Sequence, residues 1–183
     1  MKRFLFLSAL TLLVSITGIA QKNYTKNGNI SFFSKTSMEN IDATSNQVMC
    51  VLDAATANLQ FSVLIKSFSF KKSLMQEHFN ENYMESDKYP KSTFKGTITD
   101  LNTVNFTKDG TYNVSVTGDL NMHNVTKKVT TPGTVTIKSG KISITSVFSV
   151  LLSDYNIEIP KVVEGNISKT IEIKVNVALD QKM

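Results

Sequence analysis

The chain of 183 residues holds two histidines, His78 and His123, and one cysteine, Cys50. A metal centre or a nucleophilic site would be built first on these. Neither histidine lies near a second imidazole, a Cys or a carboxylate at a recognised ligand spacing, and the spacing therefore supports no metal site. His78 is read as one position of a helix and His123 as part of a turn. No Gly-x-Ser-x-Gly elbow occurs, and Cys50 carries no local signature of a nucleophile, so it reads as a small apolar filler. Two carboxylate pairs, Glu77 with Glu81 and Glu85 with Asp87, have the residue types for acid–base work. Their sequence neighbours are Lys and Asn, however, not the apolar wall that would lift a carboxyl toward neutrality. No glycine-rich phosphate loop is present. Enzyme activity thus has no residue-level support, and no cofactor is expected.

Charge and leader point to an exported protein rather than a nucleic-acid reader. Lys2 and Arg3 precede an apolar run from Phe4 to Val14 that ends in Thr17-Gly18-Ile19-Ala20, the layout of a secretory signal peptide cut before Gln21. The run is too short for a membrane span of about 20 residues. Its removal leaves 163 residues, lowers the formal charge from +5 to +3, and takes away the only arginine. The remaining lysines are scattered, which disfavours nucleic acid and reads as a solvated surface; transient contact with an anionic membrane surface is permitted. A single Cys excludes an internal disulfide, and Gln21 rather than Cys after the cut gives no lipoprotein acceptor. A periplasmic or secreted location in a bacterium is the expectation.

These residues sit on a pattern that is mostly strand. Tyr112, Val114, Val116, Leu120 and Met122 alternate with Thr111, Asn113, Ser115, Thr117, Asp119 and Asn121, and a period of two predicts a strand with one wet face. The same period carries Val125, Val129, Val135 and Ile137, then Ile142, Ile144, Phe148, Val150 and Leu152, and finally Ile171 to Leu179. Asp109-Gly110, His123-Asn124 and Ser139-Gly140 are hairpin punctuation, which makes sequence neighbours antiparallel neighbours. Upstream, Leu59, Phe61, Val63 and Ile65 alternate until the phase slips to Phe68 and Phe70, predicting a bulge near Lys66 or Ser67. Further strands are expected around Ile30 to Lys35, Asn46 to Leu52 and Ser92 to Phe106, about eight in all. Ser73 to Met84 departs from this period: Leu74, Met75, His78, Phe79 and Tyr83 share a helix face, with Ser73 and Gln76 as a capping box. With no linker or repeat, residues 21–183 read as one all-β domain. Eight such strands must close as a barrel or stack as a sandwich, and their length favours a barrel.

Two stretches resemble a known family. The passage from Leu74 to Gly96, with Tyr89-Pro90 followed by Phe94, and the passage from Gly118 to Val129, with Gly118, Leu120 and Val125-Thr126-Lys127, are similar to motifs of the YceI-like lipid/polyisoprenoid-binding family in the same order. The resemblance implies an eight-stranded antiparallel lipocalin-like barrel with a short helix near one mouth, exported, its lumen holding an apolar isoprenoid-type lipid. It does not extend to the first hairpin, Asn29 to Asp53, where the family's His and Gly have no counterpart.

On that reading the lumen is placed between Phe61, Val63, Ile65, Phe68, Leu74, Met75, Phe79, Phe94, Ile98, Tyr112, Val114, Val116, Ile142, Ile144 and Phe148. Covering an isoprenoid tail needs no reaction: roughly 25 cal/mol per Å² of buried apolar area drives it. The alternative is a ligand-free barrel with a structural or stress-related interaction role. Composition does not separate the two, because pockets and cores use the same side chains.

Overall fold

Period-two alternation buries one face of a strand and wets the other, and a sheet built only from such strands hides its edges by closing on itself. The computed structural model describes residues 22–100 and 103–183, so the expected leader lies outside the described residues. Eight strands form the closed antiparallel wall: β1 (Lys22–Lys35), β2 (Asn40–Asp53), β3 (Asn58–Leu64), β5 (Lys91–Ile98), β6 (Gly110–Met122), β7 (Val125–Lys138), β8 (Lys141–Leu151) and β9 (Thr170–Leu179). Two-residue strands, β4 (Ser69–Phe70) and β10 (Gln181–Lys182), add to β2 and β1. Each wall strand pairs with its neighbour in sequence, and β1 pairs with β9 through Ile30↔Val175 and Phe32↔Ile173 to close the barrel. Among the described residues no helix is long and apolar enough to cross a membrane.

The turns do what their residues predict. His123 and Asn124 both take positive φ between β6 and β7, and Ser139 and Gly140 do so between β7 and β8. Two successive positive φ values match the strand twist of a tight hairpin. Topology then sorts the connections. The β1–β2 turn, the long β3–β5 connection, the His123-Asn124 turn and the β8–β9 loop share one end of the barrel. The β2–β3 turn, the β5–β6 loop and the Ser139-Gly140 turn share the other.

Four local expectations are corrected. The phase slip after Ile65 is a 3-10 turn, Ile65–Ser67, rather than a bulge; buried Ser45 holds it, its Oγ 2.7 Å from that of Ser67. Helix α1 (Ser73–His78) continues as a π-helical turn, Phe79–Tyr83, so the predicted helix has the expected length but a wider last turn. Ser73 is not its cap, because the helix starts from Lys72 and the Gln76 side chain instead accepts from the Phe70 N–H at 3.2 Å. The strand expected to reach Phe106 stops at Ile98; beyond it Val104 and Phe106 fold inward over the barrel end.

The interior is not uniform along its axis. At the end away from the helix, Leu52, Ala57, Ile98, Val114, Val135, Ile137, Ile142, Val177 and Leu179 are buried in one continuous core, closed beneath by Val104. Each fully buried aliphatic there stabilises by about 1.5–3 kcal/mol, so this plug is the main source of packing stability. Cys50 lies in it, and burial pushes its thiol far above the ordinary range, consistent with an apolar filler.

Candidate functional site

At the helix end the same inward phase leaves room. A cavity of about 360 Å³ opens between β1, β3, β5, β6, β7, β8 and β9 under the β3–β5 connection. That volume lies within the range of small-molecule sites, about 300–1,000 Å³. Leu59, Val116, Gly133 and Ile144 stand where the cavity meets the packed plug, and Leu120, Val129, Phe148, Ile171, Ile173 and Val175 make its wall. Gly133 leaves part of that space: a Cβ there would make only ordinary contacts with the Val114 and Val116 side chains.

Aromatic rings gather where the helical segment crosses the mouth. Phe79 stacks on Phe32 with ring centroids 5.3 Å apart, and meets Phe70 at 5.0 Å and Phe68 at 5.8 Å. Such contacts add roughly 0.5–1.5 kcal/mol each beyond area burial, which helps to hold a short helical segment that buries no residue fully. The connection is also pinched at its base, where the Ile65 N–H donates to the Pro90 carbonyl at 2.9 Å. Phe94 lies flat against the wall because Gly96 and Gly118, paired across β5 and β6, carry no Cβ where its ring sits.

Polar contacts tie the mouth segments together. Glu39, in the β1–β2 turn, receives Lys72 at 3.0 Å and the Asn166 amide at 3.3 Å, joining that turn to the base of α1 and to the β8–β9 loop. Those hydrogen bonds, that of Lys72 foremost, hold the Glu39 carboxyl below the usual range. Across the mouth, His123 places Nε2 at 2.9 Å from Glu85 and Nδ1 at 3.1 Å from the Tyr155 carbonyl, with the Tyr89 ring against its edge. The His123 hydrogen bond is the largest of the effects holding the Glu85 carboxyl low. Glu85 and His123 are 38 residues apart, a pairing no local spacing could reveal. His78 is exposed at the cavity rim, and among the described residues no three His, Cys, Asp or Glu side chains converge.

Of the fifteen positions assigned to a lumen, Phe61, Val63, Ile65, Phe68, Met75, Phe79, Phe94, Val116, Ile144 and Phe148 line the cavity. Five do not. Leu74 faces solvent at 59% exposure, because Met75 and not Leu74 is on the inner face of α1. Ile98, Val114 and Ile142 are inward as predicted but lie in the plug, and Tyr112 packs on that plug with its hydroxyl donating to the Lys108 carbonyl. The lining that was missed includes Phe32, Phe70, Leu120, Val129, Ile171 and Ile173. Most of these carry the same inward phase, and their height along the barrel, which only the turns convey, separates lining from plug.

A sequence profile of the YceI-like domain matches residues 20–179. Three solved structures share the fold. A polyisoprenoid binding domain from Saccharophagus degradans, implicated in plant cell wall breakdown, aligns with a TM-score of 0.73 at 14% identity over 87% of this chain and 97% of its own. BcnA of Burkholderia cenocepacia aligns at 0.67 with 18% identity, covering 82% of this chain and 95% of its own. The YCEI protein of Campylobacter jejuni aligns at 0.54 with 15% identity over the whole of both chains. No curated protein matches the chain.

Proposed function

The chain belongs to the YceI-like domain family, and from that premise we propose that it is an exported binding protein that sequesters or carries an apolar, isoprenoid-type lipid in its barrel without catalysis. One observation carries the reading: a cavity of about 360 Å³, walled by aliphatic and aromatic side chains, is left above a plug of buried aliphatic side chains. An apolar space of that size is filled in water most favourably by an apolar guest. The polyisoprenoid binding named for the Saccharophagus domain supports the ligand class. Removal of residues 1–20 and release to the periplasm or medium complete the proposal. Loading calls for a brief contact with a membrane surface, for which the exposed Met38, Leu74 and Val162 around the mouth are suited.

Organic extraction and mass spectrometry of the protein purified from its own host test the carrier role. An isoprenoid-type lipid in stoichiometric amount is expected; protein free of lipid that also takes none from vesicles would favour the ligand-free structural barrel. Intact mass of the exported form tests the leader, with loss of residues 1–20 expected and a full-length membrane-retained product contradicting it.

A further inference from the structure

The carrier reading leaves the lipid's polar end undefined, and the mouth constrains it. Among the described residues no Lys or Arg lines the cavity, and the one carboxylate there is Glu39. The lysines nearest the mouth on the β4–α1 stretch are already spent, Lys72 on Glu39 at 3.0 Å and Lys71 on Asp42 at 2.9 Å. Ser34 lines the same cavity and is 1% exposed; its Oγ accepts the Ser168 N–H at 2.9 Å, which leaves its hydroxyl proton to donate. A carboxylate has about four lone-pair sites, so Glu39 keeps acceptor capacity after binding Lys72 and Asn166. The cavity thus offers an acceptor in Glu39 and a donor in Ser34, the two roles that a hydroxyl head can answer. A phosphate would meet a carboxylate whose cation, Lys72, is already engaged, and among the described residues no further Lys or Arg lines the cavity to pair with it; a charged head buried without a partner carries a large penalty.

We infer that the mouth selects an isoprenoid-type lipid with an uncharged, hydrogen-bond-donating head, such as an alcohol, over the same chain ending in phosphate. The inference rests on the carrier reading. Its test is equilibrium binding of geranylgeraniol and of geranylgeranyl phosphate to the delipidated mature protein, in low salt at neutral pH, followed by native mass spectrometry. The alcohol should bind at least about tenfold more tightly. Glu39→Gln should narrow that ratio by strengthening the phosphate, because it removes the repelling charge and frees Lys72. Lys72→Gln, which leaves Glu39 uncompensated, should widen it. Equal or tighter binding of the phosphate by the parent overturns the inference while leaving a carrier intact, as does a ratio that neither variant moves. Failure of both lipids to bind overturns the carrier reading itself.

Discussion

His123 shows how one side chain can govern a site by joining segments that are distant in sequence. Both ring nitrogens face acceptors, Glu85 at the end of the helical segment and the Tyr155 carbonyl in the β8–β9 loop; a neutral ring donates to one of them and an imidazolium to both, so the ring tethers mouth segments to the β6–β7 turn. The side chain is only 11% exposed, which strengthens hydrogen bonds that water would otherwise compete for. His123→Gln is expected to lower the melting temperature by about 2–4 °C or more, since it removes a hydrogen bond to a charged group in a domain of this size. His78→Gln, at an exposed rim position, should leave it nearly unchanged. Paired thermal melts check this, and equal small shifts would show that the His123 contacts contribute nothing. The motif residues gain a physical meaning here as well. Tyr89 and Pro90 of one passage hold His123 and the base of the helical insert, while Gly118 of the other makes room for Phe94. They shape the mouth and the wall beneath it.

Among the elements, strands were readable and loops were not, for reasons the pairing makes plain. In β6 through β9 the more buried side chains fall mostly at every second position, so the period survives in the residues themselves. Height along the barrel was also available, though only through the turns. His123-Asn124 lies at the helix end and Ser139-Gly140 at the other, which puts Leu120 at the cavity and Val114 in the plug although they share one face of β6. The β8–β9 loop, by contrast, has no period, and its Val163, Asn166 and Ile167 reach the cavity by tertiary contacts that no local pattern encodes. Close strand approach yields one prediction: Gly118→Ala would set a Cβ against the Lys95 carbonyl and the Gly96 Cα, both backbone, and should cost about 1–3 kcal/mol or more in denaturant unfolding. A cost well under that would mean that β5 can move away from β6. Acid supplies a second. The carboxyls held low, Glu39 by Lys72, Glu85 by His123 and Glu164 by Lys169, all belong to mouth segments. A depressed folded-state value contributes stability that is present above the ordinary 4.5 and is lost as pH falls through the lowered value. Between about pH 5 and pH 3, hydrogen-exchange protection should therefore fall first in residues 73–90 and 152–169, with β6 and β7 unaffected; uniform loss would contradict it.

At the scale of the whole molecule the barrel divides its labour along the axis, a packed plug that supplies stability and a hollow half that is free to take a guest, and the two halves answer differently to added volume. Val114 points into the plug, 7% exposed and in contact with its aliphatic neighbours. Val129 points from β7 into the cavity and is only half-buried. An indole at position 114 must push a close-packed set off its rotamers, so Val114→Trp should cost about 1–3 kcal/mol or more. At position 129 the same group enters space the guest would use, and Val129→Trp should hold stability within about 1 kcal/mol of the parent while sharply reducing bound lipid. Ser115→Trp, on the outer face of β6, controls for the aromatic itself. Denaturant midpoints and extracted lipid per protein are measured on all four proteins. If Val129→Trp destabilised as much as Val114→Trp, and lipid content followed stability instead of position, the hollow half would be core like the rest and the division of the barrel into plug and carrier would fail.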